Sequence, residues 1–454
     1  MSVPATKQQA YTAARLARDA RFDGQFYVAV KTTGIFCRPI CPANLPLEKN
    51  VEYFELQQQA MQAGYRPCLR CRPDSAPGSN AWRGINTTTD RALRLLRQNP
   101  DQTIAEISER LGITERYLHK LVTQAIGISP KQYRIFSQVL FAKQLLHQSQ
   151  LTIEQVAQAS GFASSRRLQA QMKKLTALSP SQIRQRQRPL TSGKIELSLA
   201  FRPPYNWPMV RDFLKARAIA PIESVCSTSY QRLFSCKGQQ GSVKATFNEA
   251  ANTFDVALAL PDMSAMTHVI NNLRRVLDLD ADPAHIHSHL IATGLKPAKL
   301  TAGIRLPGVW SQFEAGCRAI VGQQISVTAA INQLQRLCDY LNQDRDVIDF
   351  PSPQQWYELD REQLKMPNTR KQALQNFAEY FANTEASNYD EILALKGIGP
   401  WTVNYMQLRG DSEPDLLLDK DLIVARELTK HSLDCEQAAP WRSYLTFQLW
   451  QFAS

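Results

Sequence analysis

The stretch from Leu393 to Glu427, LALKGIGPWTVNYMQLRGDSEPDLLLDKDLIVARE, constrains the fold more than any other part of this 454-residue chain. Two glycines, Gly397 and Gly399, lie between two runs of apolar residues with helical spacing, which predicts a tight turn joining two helices. Backbone amides at the N-terminus of the second helix can bind an anion. A hairpin of this kind can bind a DNA phosphate without base-specific contacts, so we expect both glycines to contact the DNA backbone.

A pair of carboxylates, Asp419 and Asp421, follows the turn by about twenty residues and precedes a further apolar helix. From the residues alone two interpretations stay open. Either aspartate can act as an N-cap for that helix, because carboxylates commonly accept hydrogen bonds from the first free amides of a helix. Alternatively, one of them is a catalytic carboxylate.

The turn and the carboxylates together resemble the helix-hairpin-helix DNA glycosylases, which carry a similar glycine turn and a catalytic aspartate about twenty residues later. By that register Asp421 matches the catalytic aspartate, and Asp419 is the alternative. Members that also cut the DNA backbone have a lysine at the position held here by Trp401. Since an indole cannot form a Schiff base, the resemblance implies a water-using, monofunctional glycosylase that needs no cofactor.

Four of the nine cysteines form a spaced set near the N-terminus, Cys37-x3-Cys41 and Cys68-x2-Cys71. In a cytosolic chain, the location expected here, this pattern indicates a metal rather than disulfides. Four thiolates at such spacing suit one tetrahedral zinc ion. The spacing alone favours a structural role for the metal.

The residues around these cysteines resemble the N-terminal domain of the Ada alkylation-response proteins, from Asp23–Val30 through Lys31–Pro39 to Ala63–Asp74. In that family the first cysteine is both a zinc ligand and the nucleophile that removes a methyl group from a DNA methylphosphotriester, and Cys37 matches it. The resemblance also implies that three residues face the DNA backbone: Thr33, Arg66 and Arg70. The chain departs from many relatives at Asn44, where they carry an arginine, so the resemblance implies no sequence preference for that loop.

An internal repeat follows. Thr103–Ile107 leads to Gly112, and Thr152–Val156 leads to Gly161, 49 residues later. Each copy predicts a short helix, a turn containing glycine and a second helix. The two copies resemble the DNA-binding domain of AraC-type regulators, whose second helices enter successive major grooves. The residues that then reach bases or phosphates are Arg116, Lys120, Arg166 and Arg167.

From residue 193 the chain alternates between strand and helix patterns and resembles the small N-terminal domain of AlkA-type 3-methyladenine DNA glycosylases. The resemblance strengthens at Leu306–Trp310 and Phe313–Val327, and the Pro440–Tyr444 segment also matches. It implies a base pocket lined by five residues: Gln323, Gln324, Trp401, Tyr405 and Trp450. A third pattern, His285-x-His287-x-His289, is more typical of a linker or helix start than of a metal site.

The predicted fold class is multidomain and mainly α with α+β parts. We expect a small zinc-bound α+β domain (1–76), a double helix-turn-helix all-α domain (82–187), a small α+β domain (193–304) and an all-α helix-hairpin-helix domain (305–454). Residues 1–190 hold 27 basic against 12 acidic residues, and the remainder holds 26 against 29. The basic N-terminal part is therefore the expected anion-facing part.

We therefore expect a cytoplasmic, monomeric protein that binds double-stranded DNA, both damaged and promoter, and that does not bind membranes. RNA polymerase is a further expected partner. The function predicted is an alkylation sensor, a transcription regulator and a base-excising glycosylase on one chain. Two alternatives stay open: a regulator whose C-terminal half only binds DNA, and a DNA-binding scaffold in which the zinc is purely structural.

Overall fold

The secondary structure is mostly helical with two small sheets, which confirms the predicted fold class. We use a computed structural model, which describes residues 5–18, 22, 25–41, 43–68, 71, 73, 87–98, 102–149, 151–184, 195–384 and 388–452. Contacts divide the chain into two compact units. The first comprises Met1–Leu197 and Met263–His268, and the second comprises Ser198–Asp262 and Val269–Ser454.

The first unit begins with a small α+β region. Its elements are α1 (Ala5–Leu16), β1 (Tyr27–Val30), β2 (Ile35–Cys37), β3 (Val51–Phe54), α2 (Gln57–Gln62) and β4 (Arg66–Pro67). The strand order is β3-β1-β2-β4, and the edge strand β4 pairs with β2 in parallel. Because β2 ends at Cys37 and β4 ends just before Cys68, this pairing brings the two halves of the cysteine set together.

Seven α-helices follow in the described residues between 87 and 184. They are α3 (Thr87–Gln98), α4 (Ile104–Arg110), α5 (Glu115–Ile126), α6 (Pro130–Gln148), α7 (Ile153–Ala159), α8 (Ser165–Thr176) and α9 (Pro180–Ile183). The internal repeat recurs in the helix caps: Thr103 and Thr152 form equivalent capping boxes, and so do Ser129 and Ser179. Each box satisfies two otherwise unpaired groups at a helix start, so the sequence defines both helix pairs locally.

One hydrophobic core runs through both parts of this unit. Phe36 on β2 belongs to the same buried cluster as Leu93 on α3 and Leu118 on α5. All three side chains are at most 4% exposed. The strand that ends at Cys37 is therefore packed in the same core as the first helix pair.

The second unit begins with strands and helices in an α+β arrangement. Its elements are β5 (Ile195–Ala200, in this unit from Ser198), α10 (Trp207–Lys215), β6 (Glu223–Val225), β7 (Ser229–Cys236), β8 (Gln239–Asn248), β9 (Thr253–Ala259), α11 (Met266–Val276, in this unit from Val269) and α12 (Pro283–Ala292). The sheet order is β5-β9-β8-β7-β6. The three histidines of the His285 pattern lie on α12, and among the described residues they do not form a metal-type cluster.

The remaining helices form the all-α part of this unit. They are α13 (Gln312–Gly322), α14 (Val327–Asn342), α15 (Pro353–Glu358), α16 (Asn368–Asn383), α17 (Tyr389–Ala394), α18 (Pro400–Gly410), α19 (Leu422–His431) and α20 (Arg442–Gln451). Phe313 and Phe377 stack in the core with ring centroids 5.6 Å apart. Gly316 on α13 allows this packing, because a Cβ there would lie 2.0 Å from a Phe377 ring carbon.

A buried carboxyl group fixes the last helix. Both oxygens of Asp278 accept from the Tyr444 hydroxyl of α20 at 3.0–3.2 Å, and one also accepts from the amide of Leu306 at 2.8 Å. Burial raises the pKa of Asp278 to about 7, although Arg305 and these hydrogen bonds act in the opposite direction. The carboxyl group therefore ionises in the folded protein only near neutral pH.

Replacing Asp278 with asparagine should change how stability depends on pH. Because the pKa is raised in the folded state, the wild-type carboxyl group favours folding most below about pH 4, and this contribution falls as pH rises towards 7. The difference in unfolding free energy between wild type and Asp278→Asn should shift by up to about 4 kcal/mol over that range. Unfolding measured from pH 4 to pH 8 tests this. Asp280→Asn, which alters a more exposed carboxylate two residues later, is the control, and a pH-independent difference for Asp278→Asn would contradict the prediction.

None of the helices in the described ranges combines the length and apolar character that crossing a bilayer requires.

Candidate functional sites

The four N-terminal cysteines converge on one point. The Sγ atoms of Cys37, Cys41, Cys68 and Cys71 all lie within 4.8 Å of one another. Tetrahedral zinc with bonds of about 2.3 Å holds its sulfur ligands roughly 3.8 Å apart, so this set closes around a single ion with small adjustments. Cys37 is the most accessible of the four, since the other three are buried.

The electrostatics of this cluster also suit a bound cation. Contacts with Cys41 first, and then with Cys68, raise the pKa of the Cys37 thiol far above its ordinary value. The hydrogen bond between Cys41 and Cys37 lowers the pKa of the Cys41 thiol to about 7. Four thiols this close cannot all lose their protons without a compensating positive charge, and a zinc ion supplies that charge.

Two of the three residues expected to face DNA around this cluster lie in the described part of the chain. Thr33 is exposed in the turn between β1 and β2. Arg66 lies beside this turn, because its amide donates to the carbonyl of Gly34 at 2.8 Å. The structure therefore brings Thr33 and Arg66 together at one edge of the sheet, while Arg70 lies outside the described residues.

The residues expected to contact DNA from the two helix pairs are all exposed. Arg116 and Lys120 are four residues apart on α5 and therefore share one face of that helix. Arg166 and Arg167 lie in the first turn of α8, where Ser164 caps the helix by accepting from the Arg167 amide. These side chains are available to an anionic partner, and their contacts with DNA stay predictions.

The glycine turn has the expected geometry between α17 and α18. Gly397 adopts φ +92°, and a Cβ there would lie 2.6 Å from the Cβ of Ala373, so this position requires glycine for two reasons. Gly399 is the N-cap of α18, and Pro400 begins the helix. Within the described residues no acceptor pairs with the backbone amides of Gly399 and Trp401, which leaves both available to an anion.

Asp421 is the N-cap of α19. Its Oδ1 accepts from the amides of Ile423 at 3.0 Å and Val424 at 3.2 Å, and also from the indole Nε1 of Trp450 at 3.1 Å. No described residue donates to Oδ2. The side chain thus caps the helix with one oxygen and leaves the other free, so the two interpretations of this aspartate do not exclude each other. Asp419 is exposed, and no described residue donates to its carboxylate.

The last helix holds the segment that precedes Asp421. Arg442 donates to both oxygens of Asp415, at 2.7 and 3.0 Å. The amide of Leu416 donates to Ser443 Oγ at 3.0 Å, and that of Leu418 donates to Thr446 Oγ1 at 3.2 Å. With Trp450 at its end, α20 contacts this segment from residue 413 to Asp421 and fixes the position of the carboxylate.

Aromatic rings line a surface near this carboxylate. Trp401 and Tyr405 stack one turn apart on α18, with ring centroids 5.3 Å apart. Trp450 lies parallel to Phe213 of α10 at 6.5 Å. The Arg409 guanidinium links the two pairs, because its Cζ lies 4.6 Å from the Phe213 centroid and 5.7 Å from that of Tyr405.

The two glutamines assigned to the base pocket, Gln323 and Gln324, differ in their burial. Gln323 is half-buried at the end of α13, and its Nε2 donates to Thr402 Oγ1 at 3.2 Å, next to Trp401. Gln324 is exposed and has φ +58°, a left-handed conformation uncommon for glutamine. It therefore faces solvent in the turn before α14, and its assignment to the pocket stays a prediction.

Sequence reasoning missed three residues of this surface: Phe213, Arg217 and Arg409. Arg217 follows α10, and its Cζ lies 3.7 Å from the Phe213 centroid. Arg409 is 2% exposed, and it lies one turn after Tyr405 on α18, a spacing that the sequence could have revealed. Phe213 and Arg217 lie nearly 200 residues before α18, so no local pattern connects them to it.

Comparison with known proteins identifies the parts of the chain. Residues 10–74 match the metal binding domain of Ada, residues 107–186 match a helix-turn-helix domain, and residues 196–311 match the AlkA N-terminal domain. These matches confirm the resemblances predicted from the motifs. The bounds of the four predicted domains stay predictions.

Individual relatives agree with these matches. DNA-3-methyladenine glycosylase 2 of Escherichia coli is 29% identical over 274 residues, which cover 56% of this chain and 96% of the relative. Regulatory protein ada of Salmonella typhimurium is 41% identical over 121 residues, 26% of this chain and 33% of the relative. The probable bifunctional transcriptional activator/DNA repair enzyme AlkA of Mycobacterium tuberculosis is 31% identical over 470 residues, covering 96% of this chain and 94% of the relative. The chain therefore belongs to the family of bifunctional transcriptional activators and DNA repair enzymes that join an Ada-type regulatory half to an AlkA-type half.

Proposed function

We propose that this protein excises alkylated bases such as 3-methyladenine from DNA and also senses methylphosphotriesters to regulate transcription. The observation that carries the excision activity is the arrangement of Asp421. Its Oδ1 is held by two amides and the Trp450 indole, and its Oδ2 is free at the edge of an aromatic surface. Membership of a family of activators and repair enzymes supports the same conclusion.

The chemistry of excision follows from the substrate. A base alkylated on a ring nitrogen is cationic, which makes it a better leaving group and favours stacking against electron-rich rings such as those of Trp401 and Trp450. The nucleotide must first leave the duplex, at a cost that is lowest for a damaged pair. The carboxylate of Asp421 then stabilises positive charge on the sugar and orients or deprotonates the attacking water, as in glycoside hydrolysis.

Contacts with DNA on this half come from the hairpin. The free amides at the start of α18 suit a backbone phosphate, since the positive end of the helix dipole points the same way. Such a contact positions the duplex without selecting a sequence. Gly397 and Gly399 are therefore proposed as DNA-backbone contacts.

We further propose that water hydrolyses the glycosidic bond and that the protein does not cut the DNA strand. The first turn of α18 carries Trp401, where a strand-cutting relative would carry a lysine. A Schiff base needs an amine that reaches the sugar C1′ carbon, and the nearest lysine in sequence to the carboxylate is the exposed Lys420. No cofactor is required for this hydrolysis.

The sensor function is proposed for Cys37. Zinc held by the four thiolates would keep them deprotonated and electron-rich at neutral pH. The Cys37 sulfur attacks the methyl carbon of a phosphotriester, a C–S bond forms, the C–O bond breaks, and a phosphodiester anion leaves. The formal charge of the site then changes from −2 to −1, which weakens its repulsion from phosphates. Damage to DNA is thereby converted into higher affinity for DNA.

Regulation then depends on the two helix pairs. The exposed side chains of Arg116, Lys120, Arg166 and Arg167 are proposed to contact promoter DNA, and Thr33, Arg66 and Arg70 the backbone near the sensor. Cytoplasmic location, a monomeric state and contact with RNA polymerase remain parts of this proposal.

Incubating the full chain with duplex DNA that carries N-methylated purines tests the excision activity. We expect free 3-methyladenine in the supernatant, with strand breaks appearing only after alkali treatment. Tight binding without release of any base would favour the alternative of a regulator that only binds DNA. Strand breaks at neutral pH, or a borohydride-trapped adduct that Lys420→Gln abolishes, would contradict hydrolysis by water.

A further inference from the structure

The segment that carries Asp421 has no regular structure of its own. Residues 411–421 connect α18 to α19 and form neither a helix nor a strand. Within this range only the side chain of Leu418 is buried. Because an irregular segment lacks a ladder of backbone hydrogen bonds, its position depends on the groups that pack against it.

Two hydroxyl groups of α20 provide hydrogen bonds to this segment. Ser443 Oγ accepts from the amide of Leu416 at 3.0 Å and donates to the carbonyl of Glu413 at 2.5 Å. Thr446 Oγ1 accepts from the amide of Leu418 at 3.2 Å and donates to the carbonyl of Leu416 at 3.3 Å. Since both side chains are fully buried, water cannot readily replace these hydrogen bonds.

The Thr446 hydroxyl group is connected to the main chain of the carboxylate through Leu418. The carbonyl of Leu418 accepts from the amide of Asp421 at 2.9 Å, which closes a tight turn. Trp450 lies one turn after Thr446 on the same face of α20, and its indole donates to Asp421 Oδ1 at 3.1 Å. One face of a single helix therefore holds Asp421 through both its main chain and its side chain.

The direction of the Thr446 hydroxyl group is informative. A threonine inside a helix can turn its hydroxyl group towards the carbonyl of the preceding turn. Thr429 of α19 does so, because it donates to the carbonyl of Ala425 at 3.0 Å. Thr446 donates instead to Leu416, outside its own helix. Its hydroxyl group therefore serves the segment before Asp421 rather than α20.

We propose that Thr446 and, one turn earlier, Ser443 are positioning residues for excision, because their hydroxyl groups hold the segment that presents the Asp421 carboxylate to the sugar of the extruded nucleotide. This inference rests on the proposed glycosylase function. Neither residue touches DNA in this role. A displacement of about 1 Å at a reacting group can lower a rate by roughly a hundredfold, so losing this support should slow the chemical step without weakening DNA binding.

Thr446→Val tests the proposal, because valine has nearly the same shape and lacks the hydroxyl group. The full chain is assayed for single-turnover excision of 3-methyladenine from duplex DNA. We expect the maximal rate to fall about tenfold or more, while the protein concentration that gives half of this rate stays within about twofold. Thr446→Ser keeps the hydroxyl group and should retain most of the wild-type rate.

Gln448→Met is the matched control, since Gln448 is also a fully buried residue of α20 but holds a different segment. Its Oε1 accepts from the amide of Thr301 at 2.8 Å, and its Nε2 donates to the carbonyl of Lys299 at 3.3 Å. Losing these hydrogen bonds perturbs the same helix without releasing the turn at Asp421, so the excision rate should stay near wild type. An equal loss in Gln448→Met and Thr446→Val would overturn the proposal.

Ser443→Ala provides a second, smaller substitution in case Thr446→Val does not fold. Ser443 holds residues farther from Asp421, so we expect a smaller loss of the same kind, in the maximal rate and not in half-saturation. An unchanged maximal rate in Ser443→Ala would overturn the proposal, and so would a loss in Thr446→Ser as large as that in Thr446→Val.

The wild-type protein distinguishes this inference from the function on which it rests. Excision of 3-methyladenine by the wild type, with the same maximal rate in Thr446→Val, would overturn the inference and leave the glycosylase function intact. Absence of excision by the wild type would overturn both.

Discussion

Replacing Asp421 with asparagine should lower the single-turnover excision of 3-methyladenine by roughly two orders of magnitude or more. Asparagine has nearly the same shape, and its Oδ1 can still accept from the amides of Ile423 and Val424 and from the Trp450 indole. The helix cap therefore survives. The substitution changes the second oxygen, Oδ2, which receives no hydrogen bond from a described residue. A neutral amide group replaces this anionic oxygen, which would stabilise positive charge on the sugar.

Asp419→Asn is the control for this substitution and should have the milder effect, because Asp419 is exposed and the Trp450 indole donates to Asp421. DNA affinity and unfolding temperature should be near wild type in both variants. If both retained full single-turnover excision while folding normally, the catalytic assignment of Asp421 would be falsified. A large loss in Asp419→Asn alone would move the assignment to that residue.

The second large effect is expected at Cys37, when the protein is exposed to methylated DNA. Incubation with methylphosphotriester DNA should add about 14 Da to the protein, once per molecule, and peptide mapping should place the methyl group on Cys37. Promoter affinity should then rise and depend more steeply on salt, because the less negative site permits more phosphate contacts. Cys37→Ser should abolish both the transfer and the gain in affinity.

Cys226 provides the control for this experiment, since it is an exposed cysteine outside the cluster and the more accessible thiol of the two. If accessibility alone decided the reaction, Cys226 would be methylated first, whereas Cys226→Ser should leave transfer unchanged. Zinc content should be measured in each variant, because a lost ligand can also release the metal. A methyl group on another cysteine, or no transfer at all, would refute the sensor function and leave the glycosylase untouched.

Features of this chain that are local in sequence were predictable. The capping boxes at Thr103 and Thr152, the left-handed turn at Gly397 and the cysteine spacing each depend on a few adjacent residues. The capping boxes take their geometry from these neighbours alone, whereas the two cysteine pairs meet only because β2 pairs with β4. This is why the fold class and the family resemblances could be inferred from the sequence.

The proposed base pocket was less predictable because its walls come from distant segments. Arg217 faces Tyr405 through the packing of α10 beside α18, and the sequence offers no spacing rule for such a contact.

Asp421 illustrates a different limit of prediction from sequence. The sequence suggested a choice between a helix cap and a catalytic group, whereas a carboxylate has two oxygens and can use them separately.

The core that Phe36 shares with α3 and α5 bears on how such proteins are assembled by gene fusion. A segment moves intact between genes only if cutting it out leaves no apolar surface behind. Cutting near residue 76 would strip the sensor sheet of its helical partners, whereas a break after the helix pairs leaves this shared core whole. We therefore expect the sensor to recombine together with its helices as one module, so that the two would be inherited together.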